Sequence, residues 1–366
     1  MEISYQNKKS VSEILRGSEK FTWRFKPETD RSMLIFGDNF EGLSFLLHNG
    51  YAGKIDLIYI DPPFNTNQDY CVSEGRRRAV SMPKEANLAY SDKYSPEEYL
   101  EFIRERIVLL HELLSERGSF YFHTDIKTGH YCKVVTDEIF GRENFKNDIA
   151  RIKSNPKNFS RRAYGNEKDV ILFYAKKRGE NIWNDITQPL TQEEIRSRYT
   201  KRDERGYYTT IPMHAPGETA AGPTGRSWRG MPPPEGRHWR TNPEEFDKLD
   251  AAGLIEWSPT GNPRIKKYAK DHNGKKIQDV WTFKDPQYPL YPTQKNEEMI
   301  KRIIGQSSDE NSIVLDCFAG GGTALAAAES MHRKWIGMDN SEEAAKIIRS
   351  RLAGADFAEY DLYKNR

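Results

Sequence analysis

The chain has 366 residues, enough for one large domain or two ordinary ones, and its 56 Lys+Arg nearly balance 54 Asp+Glu, for a formal net charge of +2. Three cysteines, Cys71, Cys132 and Cys317, lie far apart without a CxxC spacing, which argues against a zinc site and against a disulfide scaffold. Residues 1–20 hold no apolar signal core and no apolar run approaches the ~20 residues that span a bilayer, so a soluble, cytoplasmic protein without a membrane partner is expected.

In chain order, an apolar run at Met33–Phe36 predicts a strand, Asn39–Leu47 a helix and Asp56–Ile60 a second strand. Pro96–Arg117 reads as a helix with Ser95 as its N-cap and Pro96 in the first turn, followed by a strand at Ser119–His123 and a helix ending near Phe140. Strand-helix alternation of this kind predicts a parallel sheet with right-handed crossovers. The polar, arginine-bearing stretch Thr66–Tyr90 reads as a long loop, mobile without a partner. Residues 151–290 differ in character: they are rich in Gly, Pro, Trp and Arg and, beyond an apolar strand at Val170–Tyr174, lack long periodic runs, as expected of an irregular, loop-built module. Alternation then returns, with a helix over Gln294–Ser307, a strand at Ile313–Asp316, a glycine turn, a helix over Ala324–Met331, a strand at Trp335–Met338 and a helix over Ser341–Leu352. The expected organisation is an N-terminal extension over 1–30, half of an α/β domain over 31–150, a strand plus insert over 151–290, and the second half over 291–366.

Charge follows the same division. Residues 151–280 carry 25 Lys+Arg against 17 Asp+Glu, so the middle is basic and the flanks acidic, which suits a polyanion-binding insert on an enzyme core as well as chance clustering on a solvated surface. Within it, Arg226, Trp228, Arg229, Arg237, His238, Trp239 and Arg240 form an aromatic-basic cluster. Such residues bridge guanine edges or phosphates and wedge between bases, or else pack a loop-rich module together.

Two motifs carry chemistry. In LIYIDPPFN, residues 57–65, an apolar strand ends in Asp61, Pro62, Pro63 and Phe64. The prolines fix two φ angles and remove two donors, so carbonyl acceptors stand in a stiff array beside a carboxylate, with an aromatic face adjacent. That set suits an exocyclic amine on an unstacked base; an ordinary Asp-Pro-Pro surface turn is the alternative. In SIVLDCFAGGGT, residues 312–323, a buried strand runs into a glycine turn and an alanine-rich helix, and one strand later WIGMD ends in Asp339, where a carboxylate can take two ribose hydroxyls. His123 beside Asp125 invites a catalytic pairing but reads as a structural strand-end histidine, and Cys317 reads as packing.

With these motifs the chain resembles the S-adenosylmethionine-dependent DNA amino-methyltransferases of bacterial restriction-modification systems, and among them the type III modification subunits. The matching pieces are GDNFEGL at 37–43, LIYIDPPFNT at 57–66, GSFYFHTD at 118–125, EKDVILFYAKK at 167–177, YPTQK at 291–295 and VLDCFAGGGT at 314–323. Their order, DPPF before FAGGG with the insert between, is that of the circularly permuted β class. The resemblance implies a Rossmann-like methyltransferase fold, a doubly wound and mostly parallel sheet, with an inserted target-recognition region. It implies Asp61, Pro62, Pro63 and Phe64 as the catalytic loop; Asp316, Phe318, Gly320 and Gly322 at the methionine end of S-adenosylmethionine; Asp339 at its ribose; Asp38 at its adenine; and Lys295 and Thr293 at its amino-acid end. One departure is Asn296, where the family usually continues YPTQKP.

The implied reaction is transfer of the methyl group to N6 of adenine in duplex DNA after base flipping, with no metal and no enzyme nucleophile. A cytosine-N4 enzyme is the near alternative, although serine more often opens the tetrapeptide there; a non-catalytic DNA-binding subunit is the alternative from another class. Duplex DNA is the implied partner, with a restriction subunit and a second copy of the chain as further partners the resemblance raises.

Overall fold

Helix starts are written locally. Ser95 accepts from the Glu98 N–H while Glu98 accepts from the Ser95 N–H, with Pro96 at the first helical position, and Ser10 and Glu13 repeat the device. The computed structural model describes residues 2–364 apart from 22, 24–25, 28–29, 65–67, 73–86, 93, 156–161, 220–221 and 293, with backbone alone for 68–72 and 87–92. It falls into two compact units, residues 1–186 with 278–366, and residues 187–277.

Among the described residues, the larger unit is built on a nine-stranded sheet. In chain order its strands are β1 (Ser32–Phe36), β2 (Ile55–Ile60), β3 (Leu114–Thr124), β4 (Phe145–Ile152), β5 (Lys168–Ala175), β6 (Val280–Thr282), β7 (Ile313–Asp316), β8 (Lys334–Asp339) and β9 (Phe357–Asp361). Their spatial order is β6-β4-β5-β3-β2-β7-β8-β1-β9. All neighbours are parallel except at β5, which runs antiparallel to both β3 and β4. The helices are α1 (Val11–Ser18), α2 (Asn39–Leu46), α3 (Pro96–Leu113), α4 (Gly129–Phe140), α5 (Glu297–Ser307), α6 (Thr323–Ser330) and α7 (Glu342–Arg351). The central strands read as nearly unbroken apolar runs because both faces are covered; Leu57, Ile58, Ile60, Val314 and Leu315 have no or almost no exposed surface.

One pairing decides where chemistry can happen. β2 and β7, more than two hundred residues apart in sequence, lie side by side, with Leu57 opposite Val314 and Ile58 opposite Leu315. Because they are parallel, the turns that follow them open on the same edge, at the place where consecutive connections depart to opposite sides of the sheet. Doubly wound sheets bind ligands in that crevice.

Several expected boundaries shift, each for a local reason. The helix expected to reach Arg117 ends at Leu113, because Leu114 turns to extended backbone and pairs with Ile55, while Ser115 Oγ donates to Asp56 Oδ1 at 2.8 Å. The helix expected from Gln294 begins at Glu297, since Asn296 is its N-cap and accepts from the Met299 N–H at 3.2 Å. α1, β4, β6 and β9 were not anticipated. The stretch Thr66–Tyr90 lies largely outside the described residues, but Gln68–Val72 and Asn87–Asp92 pair as antiparallel strands rather than continuing as loop.

The smaller unit carries more regular structure than its composition suggests. Ile255–Trp257, Pro263–Tyr268, Gly206–Pro212 and Lys201–Asp203 form a four-stranded antiparallel sheet in that order, and Met213, Trp228, Trp239, Phe246, Ile255 and Ile265 make a core of its own. Residues 151–186 and 278–290, grouped with the insert by composition, lie with the larger unit, where they supply β5, β6 and the end of β4.

Candidate active site

The carboxyl ends of four adjacent strands enclose a cavity of about 730 Å³, lined by Asp61–Phe64 after β2, Asp316–Gly321 from β7, Asp339–Glu343 from β8 and Gly37–Asn39 after β1. The sheet thereby brings together Asp38, Asp61, Pro62, Pro63, Phe64, Asp316, Phe318, Gly320, Asp339 and Lys295 on one cleft wall. Thr293 lies outside the described residues.

The glycine turn is a cradle with no spare room. Gly320 and Gly322 adopt φ of +50° and +70°, in the left-handed region that suits glycine, and a Cβ on Gly321 would stand 2.7 Å from the Tyr291 side chain. Gly322 is the N-cap of α6 and has no side chain to place between that helix and α7, where a Cβ would meet Ile348 at 2.8 Å. The turn is tied to the next strand by Asp339, whose Oδ2 accepts from the Gly320 N–H at 2.8 Å and whose Oδ1 accepts from the Ser341 N–H at 2.9 Å. Phe318 N–H donates to Asp316 Oδ1 at 2.9 Å. Burial pushes the Asp316 carboxyl up to about 8, opposed by the Phe318 N–H and reinforced by nearby Asp61 and Asp339. Burial likewise pushes Asp339 up to about 6, against the Ser341 and Gly320 donors. Two buried acids of raised pKa in one crevice suit a ligand with cationic or hydroxyl groups.

Asp38 caps α2, accepting from the Phe40 and Glu41 N–H groups at 2.9 and 3.2 Å. Its other oxygen faces Arg106 Nη2 at 3.4 Å, and Arg106 Nε donates to Asn39 Oδ1 at 2.8 Å, while Asn39 Nδ2 donates to the Cys317 carbonyl at 2.9 Å. Arg106 lies over the Phe102 ring at 3.8 Å, and Phe102 meets Phe318 edge to face at 6.1 Å. Asn39, Phe102 and Arg106 escaped the sequence reading. The one available signal was Arg106 itself, a cation on the α3 face that Ile103, Ile107 and Leu110 bury.

Asp61 is held on one side and open on the other. Lys295 Nζ donates to its Oδ2 and lies 5.1 Å above the Phe64 ring, so Lys295, only 7% exposed, meets the DPPF turn rather than standing apart from it. Asp61 Oδ1 is buried without a hydrogen-bond partner among the described residues. Its neighbour at 3.8 Å is His123 Nδ1, to which the Tyr59 hydroxyl bonds at 2.8 Å. His123 does not pair with Asp125, which closes its own turn by accepting from the Lys127 and Thr128 N–H groups at 2.9 Å. Instead His123 Nε2 faces Asp169 Oδ2 at 3.4 Å.

In the insert the aromatic-basic cluster separates into two kinds of residue. Trp228 and Trp239, 1% and 4% exposed, are the centre of the small core: Trp228 Nε1 donates to Asp247 and Trp239 Nε1 to the Arg226 carbonyl, both at 2.9 Å. As core residues they present no face to a base, which corrects their expected DNA-binding role. Arg226 pairs with Glu244 at 2.8 Å and Arg229 with Asp250 at 2.8 Å. Arg237 and Arg240 are exposed; the field of both, with Arg264, adds to burial in pushing His214 down. His238 Nδ1 lies 2.7 Å from the Gly217 carbonyl.

Comparison with known proteins gives the family. The family N6_N4_Mtase, described as DNA methylase, matches residues 55–350. The type II methyltransferase M.EcaI of Enterobacter cloacae is 39% identical over 325 residues, covering 87% of this chain and 69% of that protein. The StyLTI Mod subunit, a type III restriction-modification enzyme of Salmonella typhimurium, is 25% identical over 358 residues, covering 89% of this chain and 54% of the subunit. Among solved structures, the M1.HpyAVI–SAM complex aligns with a TM-score of 0.45 at 17% identity, covering 87% of this chain and 100% of that one. The methyl donor of such enzymes is S-adenosylmethionine, and the buried acids and tight glycine cradle suit its ammonium and hydroxyl groups. The matched span takes in both motifs and the strands that join them: the chain belongs to the N6_N4_Mtase family of DNA methylases.

Proposed function

We propose that this DNA methyltransferase acts on N6 of adenine in duplex DNA, with the target base turned out of the helix into the cleft. The observation that supports an amine target is Asp61 Oδ1, buried without a hydrogen-bond partner among the described residues and beside Phe64 in the cleft lining; Asp rather than Ser at the head of the tetrapeptide favours adenine over cytosine. The N6 lone pair of adenine is delocalised into the ring and is a poor nucleophile. Asp61 Oδ1 accepts a hydrogen bond from one N6–H and a carbonyl of the Pro62-Pro63 turn from the other, which draws the nitrogen toward tetrahedral geometry and frees its lone pair. As the N–methyl bond forms, the methyl–sulfur bond would break with its electron pair going to sulfur, and one N6 proton would then leave to solvent. Phe64 offers the face on which the extruded base stacks, and the unstacking is the part of the process the pocket must offset. Lys295 holds Oδ2 and so fixes which oxygen is offered. When bound, S-adenosylmethionine supplies a methyl group already activated on a sulfonium. Asp339 would accept from its ribose hydroxyls, Asp316 with the Phe318–Gly322 turn would receive its methionine end, and the Asp38 region would receive its adenine.

For recognition, we assign the 187–277 unit as the part that reads the duplex, with Arg237, Arg240 and Arg264 as phosphate or base contacts and Arg226 and Arg229 held by carboxylates as scaffold. A cognate restriction enzyme is the proposed functional partner.

Duplex DNA from a methylation-deficient host, incubated with tritiated S-adenosylmethionine and digested to nucleosides, tests the reading. Label is expected in N6-methyladenine with the wild-type chain and nowhere with Asp61→Ala, whose affinity for S-adenosylmethionine stays unchanged. Label in N4-methylcytosine contradicts the base assignment, and turnover by Asp61→Ala contradicts the role of Asp61.

A further inference from the structure

Behind the DPPF turn lies a buried polar chain that the mechanism above leaves unused. His123 has no exposed surface, and the three groups around it fix how it must be protonated. Asp169, 2% exposed, sits opposite Arg151 in the β4/β5 register. Its Oδ1 accepts from Lys153 Nζ, and its Oδ2 lies 3.5 Å from Arg151 Nη1 and 3.4 Å from His123 Nε2. Burial works to raise this carboxyl, but the adjacent His123 ring and the Lys153 donor overcome it and hold Asp169 well below the usual carboxylate range. Nε2 lies 3.4 Å from that carboxylate without hydrogen-bond geometry, and the field of Asp169 favours the proton on this nitrogen. Burial, the largest influence on the ring, pushes its pKa down against the pull of Asp61 and Asp169, so the ring is neutral and Nδ1 is bare. A bare Nδ1 accepts the Tyr59 hydroxyl hydrogen at 2.8 Å, and it has no hydrogen to give to Asp61 Oδ1 at 3.8 Å.

We infer that His123, oriented by Asp169, is a positioning residue for methylation: it turns a bare ring nitrogen toward Asp61 and draws the Tyr59 hydroxyl to itself, which keeps Asp61 Oδ1 open to the amine of the target base. With the opposite tautomer, Nδ1–H would donate to the Tyr59 oxygen at 2.8 Å and release the Tyr59 hydrogen toward the Asp61 carboxylate, whose charge acts on that hydroxyl. Without the ring, the Tyr59 hydroxyl would lose its acceptor and be drawn toward Asp61, the largest charge acting on it. Asp169 thus acts at one remove, as the carboxylate behind a catalytic histidine does in selecting its tautomer. Arg151 anchors the arrangement from below, since its Nε donates to the Phe283 carbonyl at 2.9 Å and its Nη2 pairs with Asp285.

The inference rests on the role given to Asp61 above, and the test separates the two. Steady-state methylation of duplex DNA from a methylation-deficient host is measured for the full chain and for Asp169→Asn, His123→Phe, His123→Phe with Tyr59→Phe, and Asp61→Ala, with S-adenosylmethionine affinity measured by calorimetry. For Asp169→Asn and His123→Phe, kcat should fall roughly tenfold or more while KM for cofactor and DNA stays within about threefold, since the acceptor is lost and not the binding surface. Adding Tyr59→Phe to His123→Phe removes the hydroxyl that would occupy Oδ1 and should recover several-fold of the lost kcat. A kcat within about twofold of wild type for both single variants, a double variant no faster than His123→Phe, or a loss of cofactor affinity in step with kcat overturns the inference. If Asp61→Ala itself turns over, the underlying reading has failed instead.

Discussion

Asp316 and Asp339 show how a binding site sets itself against the stability of its own fold. A carboxyl raised above its unfolded value of about 4 is ionised more readily unfolded than folded, so its contribution to stability is lost as pH rises from that value through the folded pKa. For Asp316 this window extends to about 8 and for Asp339 to about 6. Asp316→Asn removes the buried ionisation, and its melting temperature should exceed that of wild type near pH 8 in the absence of ligand, with the advantage vanishing toward pH 4. The same substitution should weaken S-adenosylmethionine binding. Calorimetry at neutral pH in buffers of different ionisation enthalpy should show proton release on cofactor binding by wild type, because a ligand ammonium favours the charged form of Asp316, and less release by Asp316→Asn. Equal melting curves and equal proton release for the two proteins would remove Asp316 from this role.

Strands and helices were legible where periodicity was long, and hidden where a partner strand decided the conformation. β2 and β7 announce themselves as apolar runs ending in a carboxylate, and α3 by its capping box. The end of α3 was not legible, because leucines continue at helical spacing through Leu114 and only the pairing of that residue with Ile55 makes it extended. β4, FKNDIARI, hides behind its charges: Arg151 is fully buried yet reads as a surface cation until Asp169 and Asp285 are placed beside it. In the insert, strands of three residues such as Arg237–Trp239 are too short to show a period. That is why Trp228 and Trp239 read as DNA contacts and are core. Trp228→Ala should destabilise the 187–277 unit by about 3–5 kcal/mol, seen as an early unfolding transition, while cofactor affinity holds because the cleft is lined from the other unit. The paired substitution Arg237→Ala, Arg240→Ala should leave melting unchanged, weaken DNA binding and reduce its salt slope by about one to two. An unchanged slope would mean that these cations do not meet phosphate.

Taken whole, the molecule solves a problem of distance. The four carboxylates Asp38, Asp61, Asp316 and Asp339 were legible one by one, each at the end of a predicted strand, yet nothing local says that the first two strands neighbour the last two. The sheet order supplies that fact, placing β2-β7-β8-β1 in succession with all four ends on one cleft. Asn39, Arg106 and Asp169, which support the cleft residues, stayed hidden, and His123 read as a structural strand-end histidine beside Asp125, because each acts through a partner distant in sequence. If the convergence holds, the acidic turn and the glycine turn grip the two halves of one reacting assembly. A ligand joining N6 of adenosine by a short linker to the methyl position of an S-adenosylmethionine framework puts this to calorimetry. It should bind wild type at least roughly tenfold more tightly than the unlinked framework, and Asp61→Ala should abolish that gain while leaving framework binding intact. A linked ligand that binds no better than its cofactor half, or a gain that survives Asp61→Ala, would mean that the two turns do not share a site.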